Sequence, residues 1–451
     1  MQNRTILLRP ITIAVFFILF AILYGIGGGV PSFAQTETCT SSSCHTSMGK
    51  AQSVHPPVKE GMCTACHLAT VEAAKKTKHP GNLSITLIQE GADLCYQCHE
   101  PKNKKKTIHA PVMAGDCITC HDPHQSQNKG MLKQAGARLC FQCHPDSIIA
   151  KQKVIHPPVA SEDCSGCHDN HESDFAARLV QDPKTLCFNC HPDKEEGLKA
   201  SNKIVHYPVK DSCLTCHNPH GSQNKAMLSY AVPDLCSNCH PNEVSFGSKS
   251  VTMHSPVVDG RMCLNCHDPH FADHKALLPK AQMELCLGCH DKDITTKTGR
   301  IMDMKSYLDA NKNAHGPLRK KDCVLCHGPH GSNYWRMLVK YYPAEFYTAY
   351  SDGKYALCFS CHNKAAFTDR LTKTSTGFRN GNKNLHFVHV NKIAKGRTCR
   401  ACHEVHADTG SPKHVRDKVG FGYWTMPMNF QATKNGGSCA PGCHGEKNYA
   451  R

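Results

Sequence analysis

The longest apolar run is Ile11 to Tyr24, preceded by Arg4 and Arg9 and followed by Gly27 to Pro31. Small residues Ser32 and Ala34 then stand before Gln35, which is the pattern of a cleaved export signal over residues 1–34. A retained anchor is the alternative, since Ile11 to Val30 is long enough to cross a bilayer. The break at Gly27 to Pro31, with no positive stop-transfer after it, favours cleavage. Further along, apolar positions come in short recurring pieces: a valine in H-x-P-V, a Met-Leu or Leu-Leu pair, a leucine in L-C-x-x-C-H. This predicts short helices around L-C-x-x-C-H, stopped by Pro and Gly, with coil between them. The expected fold is mostly coil with short helices, built of repeated units in an extended array.

Composition sharpens that picture. Hydrophobic residues reach 40% only with cysteine counted, and aromatics stand at 7%. A large side-chain core is therefore out of reach, and something other than side chains should fill the interior. Charged residues at 20% and a mean hydropathy of -0.44 exclude a polytopic membrane protein. The 30 cysteines and 32 histidines exclude a disordered tail.

Every cysteine falls into one kind of motif. C-x-x-C-H occurs at Cys63/Cys66/His67, Cys95/Cys98/His99, Cys117/Cys120/His121, Cys140/Cys143/His144, Cys164/Cys167/His168, Cys187/Cys190/His191 and Cys213/Cys216/His217. It recurs at Cys236/Cys239/His240, Cys263/Cys266/His267, Cys286/Cys289/His290, Cys323/Cys326/His327, Cys358/Cys361/His362 and Cys399/Cys402/His403. Two wider variants, Cys39/Cys44/His45 and Cys439/Cys443/His444, bracket the series. C-x-x-C-H is the attachment signature of haem c: two thiols about one helical turn apart form thioethers to one edge of the porphyrin, and the histidine becomes the proximal iron ligand. Zinc or disulfides would not require a histidine after every second cysteine. Fifteen haems are expected. At the two wider pairs a disulfide stays open as an alternative.

The remaining histidines recur at locked positions. One series stands three residues after a motif histidine: His124, His171, His220, His270, His330 and His406. A second precedes the motif in H-x-P-V or a relative: His55, His109, His156, His206, His254 and His315. His386 or His389 takes that role before Cys399, and His79 replaces the missing plus-three histidine of the first unit. These are the candidate distal ligands, and the expectation is bis-histidine iron throughout. A plus-three histidine is too close along the chain to cross its own haem plane, so it should serve a neighbouring one. His274, His414 and the unused member of His386/His389 remain for the N-terminal haem.

The chain is an internal repeat. Successive first-motif histidines lie 54, 47, 49 and 50 residues apart from His67 to His267, then 60 to His327 and 76 to His403. The expected organisation is a signal at 1–34, a single-haem segment at 35–50 and tandem two-haem repeats over 51–300. Two longer, aromatic-rich units and a C-terminal cap follow over 301–451. Tyr334 to Tyr355 and Phe421 to Phe430 carry the aromatics, read as packing over haems rather than a docking surface. The formal charge of +16 is reversed by the propionates of so many haems, so the pI of about 8.8 says little about partners. Nucleic-acid binding is rejected on that ground and on export.

The stretch from His109-Ala-Pro-Val112 through Cys117, His121-Asp-Pro-His124 and Met131-Leu132 to Leu139-Cys140 and His144 resembles multihaem c-type cytochromes with a doubled C-x-x-C-H motif. Among these it is similar to the decahaem periplasmic cytochromes that sit inside outer-membrane porins. The resemblance covers about residues 50 to 445. It implies an extended haem wire carrying electrons between the periplasm and the outer membrane or cell exterior, with redox proteins, a porin and a surface cytochrome as partners. The chain departs in having 15 motifs rather than ten. Two rival readings stand beside it. One is a reductase with one open haem, although no C-x-x-C-K is present; the other is a cytochrome filament in which spare histidines ligate across subunits.

Overall fold

The computed structural model describes residues 39–40, 45–68, 86–244, 252–296 and 299–451. The signal segment, Cys44 and His79 lie outside the described residues. Among those described, no helix is long and apolar enough to cross a membrane.

The repeat seen in the sequence is also the repeat of the fold. Each begins with a two-residue strand that ends at the H-x-P-V histidine, as in Ser53–Val54 before His55. A helix of four or five residues follows, such as Pro56–Lys59, Ala110–Met113 or Tyr207–Asp211. The proline sits in its first two positions, where a missing N–H costs nothing and the ring presets helical φ. The first C-x-x-C then forms a single 3-10 turn, for example Cys63–Ala65 and Cys213–Thr215. The second lies on a short helix, as expected from L-C-x-x-C-H: Gly91–Tyr96, Ala137–Cys140, Pro183–Phe188, Asp234–Ser237, Gln282–Leu287 and Ala356–Phe359.

The sequence pattern did not predict the strands, which join each repeat to the next. Antiparallel pairs link Ser53–Val54 to Gln125–Ser126, Thr107–Ile108 to Glu172–Ser173, and Val154–Ile155 to Gly221–Ser222. Three more link Ile204–Val205 to Phe271–Ala272, Thr252–Met253 to Gly331–Ser332, and Asn313–Ala314 to Ala407–Asp408. The strand before an H-x-P-V histidine thus always meets the strand after the next repeat's plus-three histidine. The chain accordingly divides inside a repeat. One compact unit holds the described residues through His99 together with Gly115–Lys133; the other holds Glu100–Ala114 and Gln134–Arg451.

The division passes inside the repeat that holds Cys120. The sequence places Cys120 with Cys143 in one two-haem repeat, but Cys120 belongs to the first compact unit and Cys143 to the second. The cause is its backbone. Cys120 closes the 3-10 turn Cys117–Thr119, its amide donating to the Cys117 carbonyl at 3.3 Å. Its own carbonyl accepts from Lys133 at 2.9 Å, which fastens it to the segment whose strand Gln125–Ser126 pairs with Ser53–Val54. The half-buried Cys120 thiol is therefore held with the preceding repeat, and its role in a haem thioether rests on the Cys117/Cys120/His121 motif.

Among the described residues, side-chain cores are confined to the C-terminal third. Leu338, Tyr342, Tyr355 and Val390 form one, and Val419, Met426 and Met428 the other. Before Leu338 the only buried hydrophobic residues described are Ala137 and Ala272. The expected packing role fits Tyr342 and Tyr355, whereas Tyr423 and Trp424 at a hairpin tip stay exposed.

Candidate metal centres

The strand pairs place histidines of neighbouring repeats face to face. In each of six pairs the amide of the H-x-P-V histidine donates to the carbonyl of the next repeat's plus-three histidine, from His55 to His124 (3.0 Å) through His315 to His406 (2.8 Å). The rings then meet motif histidines in two fixed ways. The H-x-P-V histidine faces the second-motif histidine of its own repeat: His55–His99 at 5.9 Å between ring centroids, His109–His144 at 6.1 Å and His156–His191 at 6.3 Å. His206–His240, His254–His290 and His315–His362 follow at 6.1, 6.2 and 6.1 Å. The plus-three histidine faces the first-motif histidine of the preceding repeat: His67–His124, His168–His220 and His217–His270, all at 6.0 Å. His267–His330 at 6.1 Å and His327–His406 at 6.3 Å complete that series. His121 and His171 fall one in each compact unit.

These spacings fit an iron. Two metal–nitrogen bonds of about 2 Å, with each ring centre about 1 Å behind its nitrogen, set trans imidazole centroids about 6 Å apart. Ring tautomers agree. The Nδ1–H of each of four H-x-P-V histidines donates to a backbone carbonyl: His55 to Pro123 (2.9 Å), His109 to Asn170 (3.0 Å), His206 to Pro269 (2.8 Å) and His254 to Pro329 (2.9 Å). First-motif histidines do likewise: His121 to Gly130 and His168 to Ala177 (both 2.9 Å), His217 to Ala226 (2.8 Å), His267 to Ala276 (2.7 Å), His327 to Arg336 (3.0 Å) and His403 to Lys413 (2.9 Å). With Nδ1 protonated, Nε2 carries the lone pair a metal needs. Among the described residues His67 Nδ1 is buried without a partner.

Each carbonyl that receives a first-motif Nδ1–H belongs to a residue in the left-handed region. Gly130 has φ 68°, Ala177 53°, Ala226 55°, Ala276 58°, Arg336 56° and Lys413 56°. The next residue is left-handed as well, as at Met131, Met227, Leu277 and Met337. This clamp is what the recurring Met-Leu and Leu-Leu pairs build. Ser126, Ser173 and Ser332 brace it, each hydroxyl donating at 2.5 Å to the carbonyl of the leucine six residues on, Leu132, Leu179 and Leu338. The sequence reading missed these serines and clamp residues. Their recurrence two and about six residues after the plus-three histidine was the available signal.

The aspartate of H-D-x-H has its own task. Asp122, Asp169 and Asp268 accept the amide of the plus-three histidine at 2.9, 2.8 and 2.9 Å. That turn carries the plus-three ring away from its own motif and towards the neighbour.

Thiols connect one motif to the next. Within the compact units Cys95 with Cys117, Cys140 with Cys164, Cys187 with Cys213, Cys236 with Cys263, Cys286 with Cys323 and Cys358 with Cys399 hydrogen-bond in pairs. Accepting from Cys187 lowers Cys213 to about 6, and Cys187 is pushed up in return. Cys439 is half-buried and Cys443 exposed. Of the spare histidines, His274 immediately precedes a 3-10 turn, Lys275–Leu277. His414 stands at the clamp position of its repeat, its Nδ1 2.6 Å from Asp408 Oδ2 and its ring edge-on to His315 at 5.8 Å. His45 opens a turn in which its carbonyl accepts from Met48.

The model of one family, the doubled CXXCH motif, matches residues 55–104, 109–148, 156–196, 206–245, 254–295 and 315–367, together more than half of the chain. None of the curated proteins compared matches it. Six paired motifs, with facing histidines at the spacing of a two-sided iron, place this chain in the doubled CXXCH motif family, as a multihaem c-type cytochrome whose repeats bind haem c.

Proposed function

We propose that the protein is an electron-transfer wire with fifteen haem c groups, working between the periplasm and the outer membrane or cell exterior. The observation that carries this reading is the facing of imidazoles in pairs about 6 Å apart, which leaves neither side of an iron between them open to substrate. When bound, haem c supplies a one-electron ferric/ferrous couple. The chain's part is to hold and tune. The paired thiols would anchor each macrocycle, and the facing histidines would hold its iron. Where Nδ1–H donates to a carbonyl it orients the ring and raises its basicity, which would favour the ferric state and lower the potential. No side chain is needed as acid, base or nucleophile. The thiol pairs between consecutive motifs support a series of neighbouring sites within each compact unit. Partners on this reading are redox proteins at either end, with an outer-membrane porin as housing and a surface cytochrome as acceptor.

Carbon monoxide added to the fully reduced holoprotein tests this. The expected spectrum is unchanged, because no iron has a vacant side. A fraction of haem that binds carbon monoxide and also turns over nitrite would make the protein a reductase.

A further inference from the structure

The family match ends at residue 367, yet a seventh repeat follows with two more motifs. It departs from the rule of the preceding repeats. His403, a first-motif histidine, faces no plus-three histidine from a following repeat. It faces His386 of its own repeat, 6.3 Å away and tilted by 33°. His386 and His389 lie three residues apart on one helix, Leu385–Val390, and therefore on one side of it. We propose that this single helix supplies the distal ligand to both haems of the seventh repeat, His386 to the iron held by His403 and His389 to the iron held by His444. The repeat then closes its own sites without help from a following repeat or a second copy of the chain. This rests on the haem reading above and extends it to residues the family match does not reach.

The helix is built to hold two ligands still. Asn384, fully buried, caps it by accepting from the amides of His386 (2.9 Å) and Phe387 (3.2 Å). Its own amide group donates to Ala366 and Asp369 carbonyls at 3.1 and 2.7 Å. Phe378 packs against both rings, at 5.1 Å from His386 and 5.7 Å from His389. The Nδ1 atoms are engaged: His389 with the Leu385 carbonyl at 2.7 Å, His386 with the Thr376 hydroxyl at 3.0 Å. Each Nε2 is thereby left for a metal.

Cys439/Cys443 occupies the place of a second motif. In six repeats the second thiol of the second motif is the exposed one, at Cys98, Cys143, Cys190, Cys239, Cys289 and Cys361, and Cys443 is exposed in the same way. The cluster of Val419, Met426 and Met428 packs against Cys402, and the Cys443 thiol donates to Met426 Sδ at 3.2 Å, which brings the two motifs of this repeat to one core. Phe378, which packs on both histidine rings, also meets Tyr449 edge-on at 5.2 Å, on the strand Lys447–Ala450 that follows His444.

The test uses the full-length holoprotein and the single variants His386→Ala and His389→Ala. Haem per chain is counted by intact mass, and spin state by low-temperature EPR. Each variant is expected to keep its haem count, since the thioethers remain, and to convert one haem from low to high spin. Added imidazole should restore it. A variant that stays wholly low-spin at full haem count overturns the assignment of that histidine. Wild-type protein with no haem on Cys439/Cys443 overturns the His389 half alone, whereas a haem-free chain overturns the electron-transfer reading itself. Should His386→Ala fail to fold, His386→Met keeps the question open to measurement: one haem's potential should rise, and no change would count against His386 as ligand.

Discussion

A histidine binds iron only when neutral, and burial enforces neutrality here. His386 and His406 are each lowered to about 4 by burial, with the charge of the facing His403 or His327 adding to it. In the unfolded chain both would titrate near 6.5. The folded state thus binds fewer protons than the unfolded one, and stability rises with pH across that window. It is complete above about pH 6.5 and is lost as pH falls towards 4. Following low-spin absorbance from pH 7 to 3 should show ligand loss only on acidification, and loss on raising the pH from 7 to 8 would contradict this. At the scale of single residues the sequence was largely readable. Position-locked recurrence singled out the histidines that the fold sets face to face with motif histidines. Which distal histidine meets which motif histidine was not readable, because that depends on a strand register between repeats.

The elements that set the register are two residues long, too short to leave a period in the sequence. The clamp was hidden for a different reason. A left-handed turn usually announces itself through glycine, yet only Gly130 does so, while Ala177, Ala226, Ala276, Arg336 and Lys413 hold the same conformation. Each non-glycine residue there costs about 1 kcal/mol, accepted in order to aim a carbonyl at the proximal Nδ1. Ala226→Gly is therefore expected to stabilise the folded holoprotein by about 1 kcal/mol, against the usual loss from such a change. Guanidinium unfolding followed through the low-spin haem signal measures it. Destabilisation by a similar amount would mean that the alanine is unstrained. The helix Leu385–Val390 was equally opaque, since His386 and His389 fit the H-x-P-V role equally well until the ring partners were known.

Across the whole molecule, hydrophobic side chains do not account for the fold. Before Leu338 only two alanines among the described residues are buried hydrophobics, so the interior of those repeats must be filled by the macrocycles their thiols bind. Haem attachment and folding are one event on this view, as in small metal-dependent domains. Chain produced without haem attachment should show little regular structure by circular dichroism and no dispersed amide spectrum; a cooperative thermal transition in that material would refute the point. Low hydrophobic content and the motif count made this much legible from the sequence. The strand pairing of each repeat with the next, and a unit boundary that falls inside a repeat, were not.

The central claim is that histidine closes both sides of every iron. Low-temperature EPR of the oxidised holoprotein, quantified against haem content, tests it most directly. The account predicts that low-spin ferric haem explains the whole signal. A reproducible high-spin component equal to one haem per chain would reveal an open iron and contradict it.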